Sequence, residues 1–96
     1  MNTLILTAIE NKLRLKLFYD GGYRIVEPHC YGISTTSKEE LRLFQVSGFS
    51  KSNKLGWKLF DLKKVRSMQL TDMNFLTARP GYKRNDRVMR RIFKQL

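Results

Sequence analysis

A short stretch in the second half of the chain, G-W-K-L-F-D-L-K-K-V-R-S at residues 56–67, mixes core-forming side chains with four cations. Ammonium and guanidinium groups carried by neighbouring strands bind phosphate and carboxylate groups, so this stretch offers anion binding. Lys58 shares a strand face with the apolar Phe60, and Asp61 shares the opposite face with Trp57. Because neither face is purely polar, exposure of one polar face to solvent does not readily explain these charges.

Other candidate strands repeat this pattern, with a cation at the end of an apolar row. Arg42 lies in the row of Phe44 in one such strand, and Arg66 lies in the row of Met68 in another. Cations placed there would surround the mouth of a small barrel, with buried stems and solvated heads. The predicted anion site is Arg24, Arg42, Gln45, Phe49, Ser50, Lys58, Lys64 and Arg66. The alternative is that these cations are separate surface charges.

Aromatic side chains add possible stacking faces for unpaired bases, each worth about 1–3 kcal/mol when used. Phe49 is the favoured candidate because it lies in residues 47–56, a cationic connection rich in Ser, Gly, Lys and Asn. Side chains of such a connection are needed less often for core packing. Trp57 is the only tryptophan and is expected in the core, as is usual in a small barrel.

The charge of the chain is strongly positive and unevenly distributed. The sequence has 19 Lys and Arg residues and 8 Asp and Glu residues, which gives a formal net charge of +11. Five bases and five acids balance in residues 1–41, whereas fourteen bases and three acids occupy residues 42–96. Such an imbalance attracts polyanions from a distance, whether nucleic acid or acidic membrane.

The remaining chemistry argues against an enzyme. Cys30 is the only cysteine and His29 the only histidine, so the chain has neither an internal disulfide nor a zinc-type ligand set, and we interpret both residues as a strand pair. Glycine-rich phosphate loops, nucleophile elbows and paired carboxylates are absent from the sequence. We therefore expect no catalytic residues, no metal and no cofactor. Residues 1–6 lack the features of a signal peptide or membrane span, which favours a cytoplasmic setting.

The elements that must position the cations form one domain over residues 1–96, mainly β with terminal helices. Thr3 can cap a helix over residues 4–11, and Asp20-Gly21-Gly22 supplies the turn of a hairpin. Pro28 cannot donate to a strand ladder, so the second strand is expected to bend or bulge there. The predicted strands are residues 13–19, 23–33, 41–46, 57–62 and 65–70, and residues 71–84 are interpreted as a loop.

The last twelve residues, 85–96, predict an amphipathic helix capped by Asn85 or Asp86. Its basic face would add secondary phosphate contacts at Arg87, Arg90, Arg91 and Lys94. Docking of its apolar face on the barrel or on a partner subunit is the expected outcome, and a homodimer through this helix is one possibility. Membrane attachment is disfavoured because the helix is short and lacks an interfacial tryptophan.

Two stretches, A-I-E-N-K-L-R-L-K-L-F-Y-D-G-G-Y-R-I-V-E-P and G-W-K-L-F-D-L-K-K-V, are similar to the opening and closing parts of the WYL domain. The resemblance covers residues 4 to about 75. Leu41-Arg42-Leu43 stands where the eponymous tripeptide is expected, and Lys58 and Lys64 replace arginines of the family. The resemblance implies a small Sm-like (SH3-type) five-stranded β-barrel over about residues 13–75. It also implies a regulatory module in transcription that binds nucleic acid or nucleotides.

Three hypotheses of different classes follow from these features. The first is a nucleic-acid-binding regulatory domain that holds single-stranded DNA or RNA on a basic rim. The second is a sensor of a small anionic effector, such as a nucleotide, that signals to a partner protein. The third is a structural oligomerisation module.

Overall fold

The computed structural model describes all 96 residues as one helix and six antiparallel strands. The elements are α1 Thr3–Asn11, β1 Leu13–Tyr19, β2 Gly22–Ser34, β3 Glu39–Gly48, β4 Gly56–Asp61, β5 Val65–Asn74 and β6 Met89–Gln95. A single 3-10 turn, Leu62–Lys64, joins β4 to β5. The nine residues of α1 are about half of what crossing a bilayer takes, and no helix of the structure could span a membrane.

The thirteen-residue strand β2 organises the sheet. On one side it pairs with β3, and on the other its first half pairs with β1 and its second half with β6. The strand order is β4-β3-β2-β1-β5, so β4 and β5 are the two ends and do not pair with each other. The hydrogen bonds therefore form an open six-stranded sheet, and the closed five-stranded barrel expected from the sequence is not formed.

The sheet is nevertheless strongly curled. The rings of Tyr19 on β1 and Phe60 on β4 stack with centroids 3.8 Å apart, although two strands separate β1 from β4. The hydroxyl of Tyr19 also accepts a hydrogen bond from the Asp61 backbone N–H at 3.3 Å. One end of β4 is thereby held against the hairpin of β1 and β2 by side chains.

Local sequence signals explain the hairpin and the bend of β2. The turn between β1 and β2 has positive φ values at Asp20 (46°) and Gly21 (101°), which aspartate and glycine accept more readily than other residues. The register of β2 with β3 shifts between Pro28 and Cys30, which confirms the bulge expected at the proline. Both features agree with the sequence prediction.

The main core lies between α1 and the concave face of the sheet. Ile5, Ala8 and Ile9 of α1 are buried against inward-facing leucines of β1 and β3, such as Leu15 and Leu43. The helix begins one residue earlier than expected, because Asn2 rather than Thr3 is its N-cap: the Asn2 side chain accepts from the Ile5 backbone N–H at 3.1 Å.

The convex face of the sheet is covered by residues 75–88, which we call the outer segment. Residues 71–74 continue β5, and the rest of the stretch predicted as a loop crosses β2, β3 and β4 without regular structure. The ring of the buried Phe75 is inclined by only 18° to that of His29, with centroids 5.8 Å apart. Because α1 covers one face and the outer segment the other, β2 is buried without interruption over residues 26–32.

The predicted C-terminal helix over residues 85–96 is wrong, because this region supplies β6. Neither capping residue starts a helix: Asn85 has a φ of 61° and exchanges hydrogen bonds with the Gln95 side chain, while Asp86 binds Arg42 and the Val88 N–H. The second half of β2 needs hydrogen-bond partners that a docked helix would not give it. A homodimer that forms through a C-terminal helix is therefore not possible in this fold, because residues 89–95 form a strand.

Gly32 tests the pairing of β6 with β2. A Cβ atom on Gly32 would overlap the carbonyl oxygen of Arg91 on β6. We expect Gly32→Ala to lower the free energy of unfolding by about 2 kcal/mol, measured by urea denaturation. Alanine in an extended strand without such a neighbour would be neutral or stabilising by about 0.4–1 kcal/mol, so a gain in stability would contradict this pairing.

Candidate anion-binding surfaces

Arg24 and Gln45 of the predicted anion site form a buried network. Arg24 is only 4% exposed, and its guanidinium donates to the Tyr19 carbonyl oxygen at 3.1 Å and to Gln45 Oε1 at 3.3 Å. It also lies over the ring of Phe60, and Gln45 Nε2 donates to the Phe49 carbonyl oxygen at 2.8 Å. Burial lowers the pKa of Arg24. These two side chains support the hairpin end of the concave face and face protein groups.

Three further predicted residues adjoin this network. Lys58 Nζ donates to Ser50 Oγ at 3.2 Å, and Ser50 is itself buried. Phe49 is 42% exposed but rests on the hairpin turn so closely that a Cβ atom on Gly22 would overlap its side chain. Five of the eight predicted site residues are thus gathered at one end of the concave face, mostly in structural contacts.

Lys64 and Arg66 lie around the same hairpin turn and line a cleft of about 330 Å³. We call it the turn cleft, and its lining is Phe18, Asp20, Gly21, Lys63, Lys64 and Arg66. All three of its cations are exposed and none of them pairs with a carboxylate. The only acid in the lining, Asp20, forms an ion pair with Lys51, with Nζ and Oδ1 2.9 Å apart. The hydrogen bond from Lys51 lowers the pKa of Asp20.

An aromatic pair adjoins the turn cleft. The rings of Phe18 and Tyr23 meet edge to face with centroids 5.1 Å apart, and the ammonium of Lys16 lies 4.7 Å from the centroid of the Tyr23 ring. Tyr23 is 54% exposed. Exposed cations and an exposed aromatic ring therefore lie next to each other at this turn, and these are the two elements of a surface for unpaired nucleotides.

Arg42 lies elsewhere, on the convex face, where it lines a cavity of about 460 Å³. We call this the outer cavity; its walls include the aromatic residues Trp57 and Tyr82 and the cations Arg42, Lys83, Arg84 and Arg87. Its single acid is Asp86, whose carboxylate accepts from Arg42 Nε at 2.7 Å. Burial alone would raise the pKa of Asp86, but the hydrogen bonds from Arg42 and the Val88 N–H outweigh it and keep the pKa low.

The four predicted secondary phosphate contacts do not share one face. Arg87 lines the outer cavity, whereas the other three lie on β6. Lys94 forms an ion pair with Glu10 of α1, and the guanidinium of Arg91 lies 5.5 Å from the centroid of the Phe93 ring. Arg90 is exposed.

A buried carboxylate holds the outer segment, and the outer cavity with it, on the sheet. Glu27 has no solvent-exposed surface and accepts from Arg79 of the outer segment at 2.7 and 3.1 Å and from Arg14 of β1 at 2.9 Å. Burial would raise the pKa of Glu27, but the two guanidinium groups together lower it below its ordinary value. No local pattern in the sequence indicates this triad, because its members are far apart along the chain.

His29 and Trp57 complete the outer layer. The Arg79 backbone N–H donates to His29 Nε2 at 3.1 Å, so Nδ1 carries the proton and donates to the Glu27 carbonyl oxygen at 2.8 Å. Burial also lowers the pKa of His29, which keeps the ring neutral. Trp57, expected in the core, is half-buried in this outer layer and donates from Nε1 to the Pro80 carbonyl oxygen at 3.1 Å.

Several residues of these surfaces were not among the predicted site residues. Lys63 and Phe18 of the turn cleft and Lys83 and Arg84 of the outer cavity are examples. The dense charge of residues 42–96 was the available signal for the lysines and the arginine, but their convergence depends on the path of the outer segment.

No family model, curated protein sequence or solved structure matches the chain.

Glu27→Gln tests the triad. The variant leaves two guanidinium groups facing a neutral amide, and we expect the free energy of unfolding at pH 7 to fall by about 3 kcal/mol in urea denaturation. Glu10→Gln is the matched control: it neutralises the exposed partner of Lys94 and should cost less than about 1 kcal/mol.

The Glu27→Gln substitution should also change how the stability of the protein depends on pH. Because the folded-state pKa of Glu27 lies below the ordinary value of 4.5, its contribution is complete above that pH and is lost as the pH falls through the folded-state pKa. The stability of Glu27→Gln should therefore decrease less steeply below pH 4.5 than that of the wild type. Parallel curves would contradict the assignment.

Proposed function

We propose that the protein is a nucleic-acid-binding regulatory domain that holds single-stranded DNA or RNA at the turn cleft. The observation that carries this proposal is the set of three exposed cations that form no ion pair, Lys63, Lys64 and Arg66, around a cleft. Phe18 of the cleft lining packs against the 54% exposed Tyr23. Phosphates would contact the cations, and a base would stack on the ring. Such platforms tolerate many sequences because every base has a π-face.

The overall electrostatics support a polyanionic partner. Only five of the nineteen cations form ion pairs with side-chain carboxylates, namely Arg14, Arg42, Lys51, Arg79 and Lys94. The remaining surplus of positive charge raises the local concentration of nucleic acid and speeds its capture. Binding driven in this way must weaken with salt, because each neutralised phosphate releases counterions.

Unpaired strands suit the turn cleft better than duplex. A duplex hides the faces of its bases, so the ring of Tyr23 would contribute nothing to duplex binding, whereas an unpaired base can stack on it. The cleft also lies at a tight hairpin turn and lacks a helix that could enter a major groove.

The resemblance to the WYL domain supports the regulatory part of the proposal. The order of elements at the start of the chain, a helix that leads into a hairpin, supports this part, because the same order opens that family. We propose that the sheet corresponds to an Sm-like (SH3-type) barrel that is closed by side chains, such as Tyr19 on Phe60, instead of by a strand ladder. A role in transcription regulation follows from the same resemblance.

Two triple variants with the same net charge provide the test. Lys63, Lys64 and Arg66 changed to Ala removes the turn-cleft cations; Lys83, Arg84 and Arg87 changed to Ala removes three cations of the outer cavity. Each variant lowers the formal charge from +11 to +8. Fluorescence anisotropy with a labelled single-stranded oligonucleotide should show affinity about tenfold weaker for the turn-cleft variant and a smaller loss for its control.

A salt series makes the comparison sharper. The slope of log affinity against log salt is about −0.7 per phosphate contact for single strands, so losing three contacts should flatten it by about 2. Equal losses in the two variants would mean that only net charge matters and would overturn the proposed site. A wild-type protein that binds neither single-stranded DNA nor RNA at low salt would overturn the function.

The stacking part of the proposal has its own test. Tyr23→Ala should weaken binding of the single-stranded oligonucleotide by about 1–3 kcal/mol while leaving the salt slope unchanged, because it removes a ring and no charge. Duplex DNA, in which the faces of the bases are hidden, should bind the variant and the wild type equally. A loss of the same size for duplex would contradict stacking.

A further inference from the structure

We propose that the outer cavity is a second, separate binding site whose ligand is a small phosphorylated molecule with a planar ring, the chemistry of a nucleoside diphosphate. The cavity lies on the convex face, where Arg42 projects, and shares no lining residue with the turn cleft. The inference does not depend on the proposed function, because it uses different residues, a different ligand size and a different readout.

The cations of the outer cavity set the charge of its ligand. Four cations and one acid line it, and the acid, Asp86, is already bound by Arg42 and by the Val88 N–H. Lys83, Arg84 and Arg87 are exposed and pair with no side-chain carboxylate. The guanidinium of Arg84 is oriented by a hydrogen bond of 3.0 Å from its Nε to the Leu96 carbonyl oxygen. Guanidinium and ammonium groups gathered in this way suit a phosphate chain.

The aromatic residues of the cavity, Trp57 and Tyr82, indicate that the ligand also has a planar ring. The rings of Trp57 and Tyr82 are inclined by only 21° with centroids 6.0 Å apart. Both rings are half-buried and border the cavity, so a planar ring can stack on a surface that is already oriented. A phosphate alone would leave this wall unused.

The site is held in place before any ligand arrives. Trp57 Nε1 is bonded to the Pro80 carbonyl oxygen, and Arg79 beside it is fixed to the buried Glu27. Gly81 has a φ of 91°, and a Cβ atom there would lie only 3.2 Å from Trp57 Nε1, so glycine lets the outer segment approach the indole. Because these contacts already order the walls, binding costs less conformational entropy.

The size of the cavity selects among anionic ligands. A volume of about 460 Å³ lies within the range of about 300–1,000 Å³ that is usual for small-molecule sites. A free inorganic ion would fill only a small part of it. A nucleoside diphosphate combines the ring and the charge that the two walls require.

Trp57 gives the experiment a direct readout, because it is the only tryptophan of the chain and borders the cavity. We expect ADP to quench its fluorescence in a saturable titration at moderate salt. Inorganic pyrophosphate should compete with ADP but quench little, and adenosine, which lacks phosphates, should bind at least about tenfold more weakly.

The two triple Ala variants described above also test this site. Here the outer-cavity variant is the test and the turn-cleft variant is its control. Replacing Lys83, Arg84 and Arg87 with Ala should weaken ADP binding at least about tenfold, whereas the turn-cleft variant of equal charge should bind ADP as the wild type does. Arg87→Ala alone is the second variant if the triple variant does not fold, and it should lose several-fold. Loss of single-strand binding in the turn-cleft variant, with ADP binding kept, would show that the two sites are separate.

Three results would overturn the inference. The first is the absence of a saturable fluorescence change with ADP. The second is an equal loss of ADP affinity in both triple variants, which would mean that only net charge is sensed. The third is pyrophosphate binding as tightly as ADP, which would remove the role of the ring. Failure of oligonucleotide binding would leave all three measurements interpretable, because none of them uses an oligonucleotide.

Discussion

A buried carboxylate is the interaction on which the convex half of the molecule depends. Glu27 lies inside the protein with no exposed surface, and such a charge is tolerated only when its partners replace the lost water. Arg14 supplies one partner from β1 and Arg79 supplies the other from the outer segment. The same contact that makes Glu27 tolerable therefore fixes the outer segment on the sheet. Since residues 81–87 form one wall of the outer cavity, the shape of that cavity follows from a charge that is not part of it.

The cations of the chain divide into those that build the protein and those that remain free. Arg24 belongs to the first group, because its guanidinium donates to the carbonyl oxygens of Tyr19 and Asp20 and thus supports the hairpin turn from inside. Lys64 and Arg66 belong to the second group and lie around the same turn with solvent-facing heads. The internal arginine and the external cations are related, since Asp20 and Gly21 of the turn that Arg24 supports line the cleft together with the cations. A sequence rich in positive charge can in this way use some of it for folding and keep the rest for a ligand.

Local patterns were sufficient for the first part of the fold and insufficient for the last. The short helix, the hairpin around Asp20-Gly21-Gly22 and the bulge at Pro28 depend on neighbouring residues, and each was predicted. The helical spacing of Val88, Ile92 and Phe93 is equally visible in the sequence, yet β6 forms because the second half of β2 requires a hydrogen-bonded neighbour. The predicted cations were separated for a different reason: the alternation of β3 sends Arg42 to the convex face while its neighbours Leu41 and Leu43 enter the core. Contacts between distant residues, including the Glu27 triad, leave no local mark in the sequence.

The pairing of β6 with β2 also has a kinetic consequence. Gly32 and Ile92 are partners in adjacent strands although sixty residues separate them. Closing so large a loop costs entropy before the hydrogen bonds of the ladder can repay it, so chains of this topology fold slowly relative to their size. Until β6 docks, the second half of β2 offers a bare edge that another chain can pair with. An undocked β6 therefore adds an unpaired edge to those of β4 and β5, which raises the tendency of the chain to aggregate.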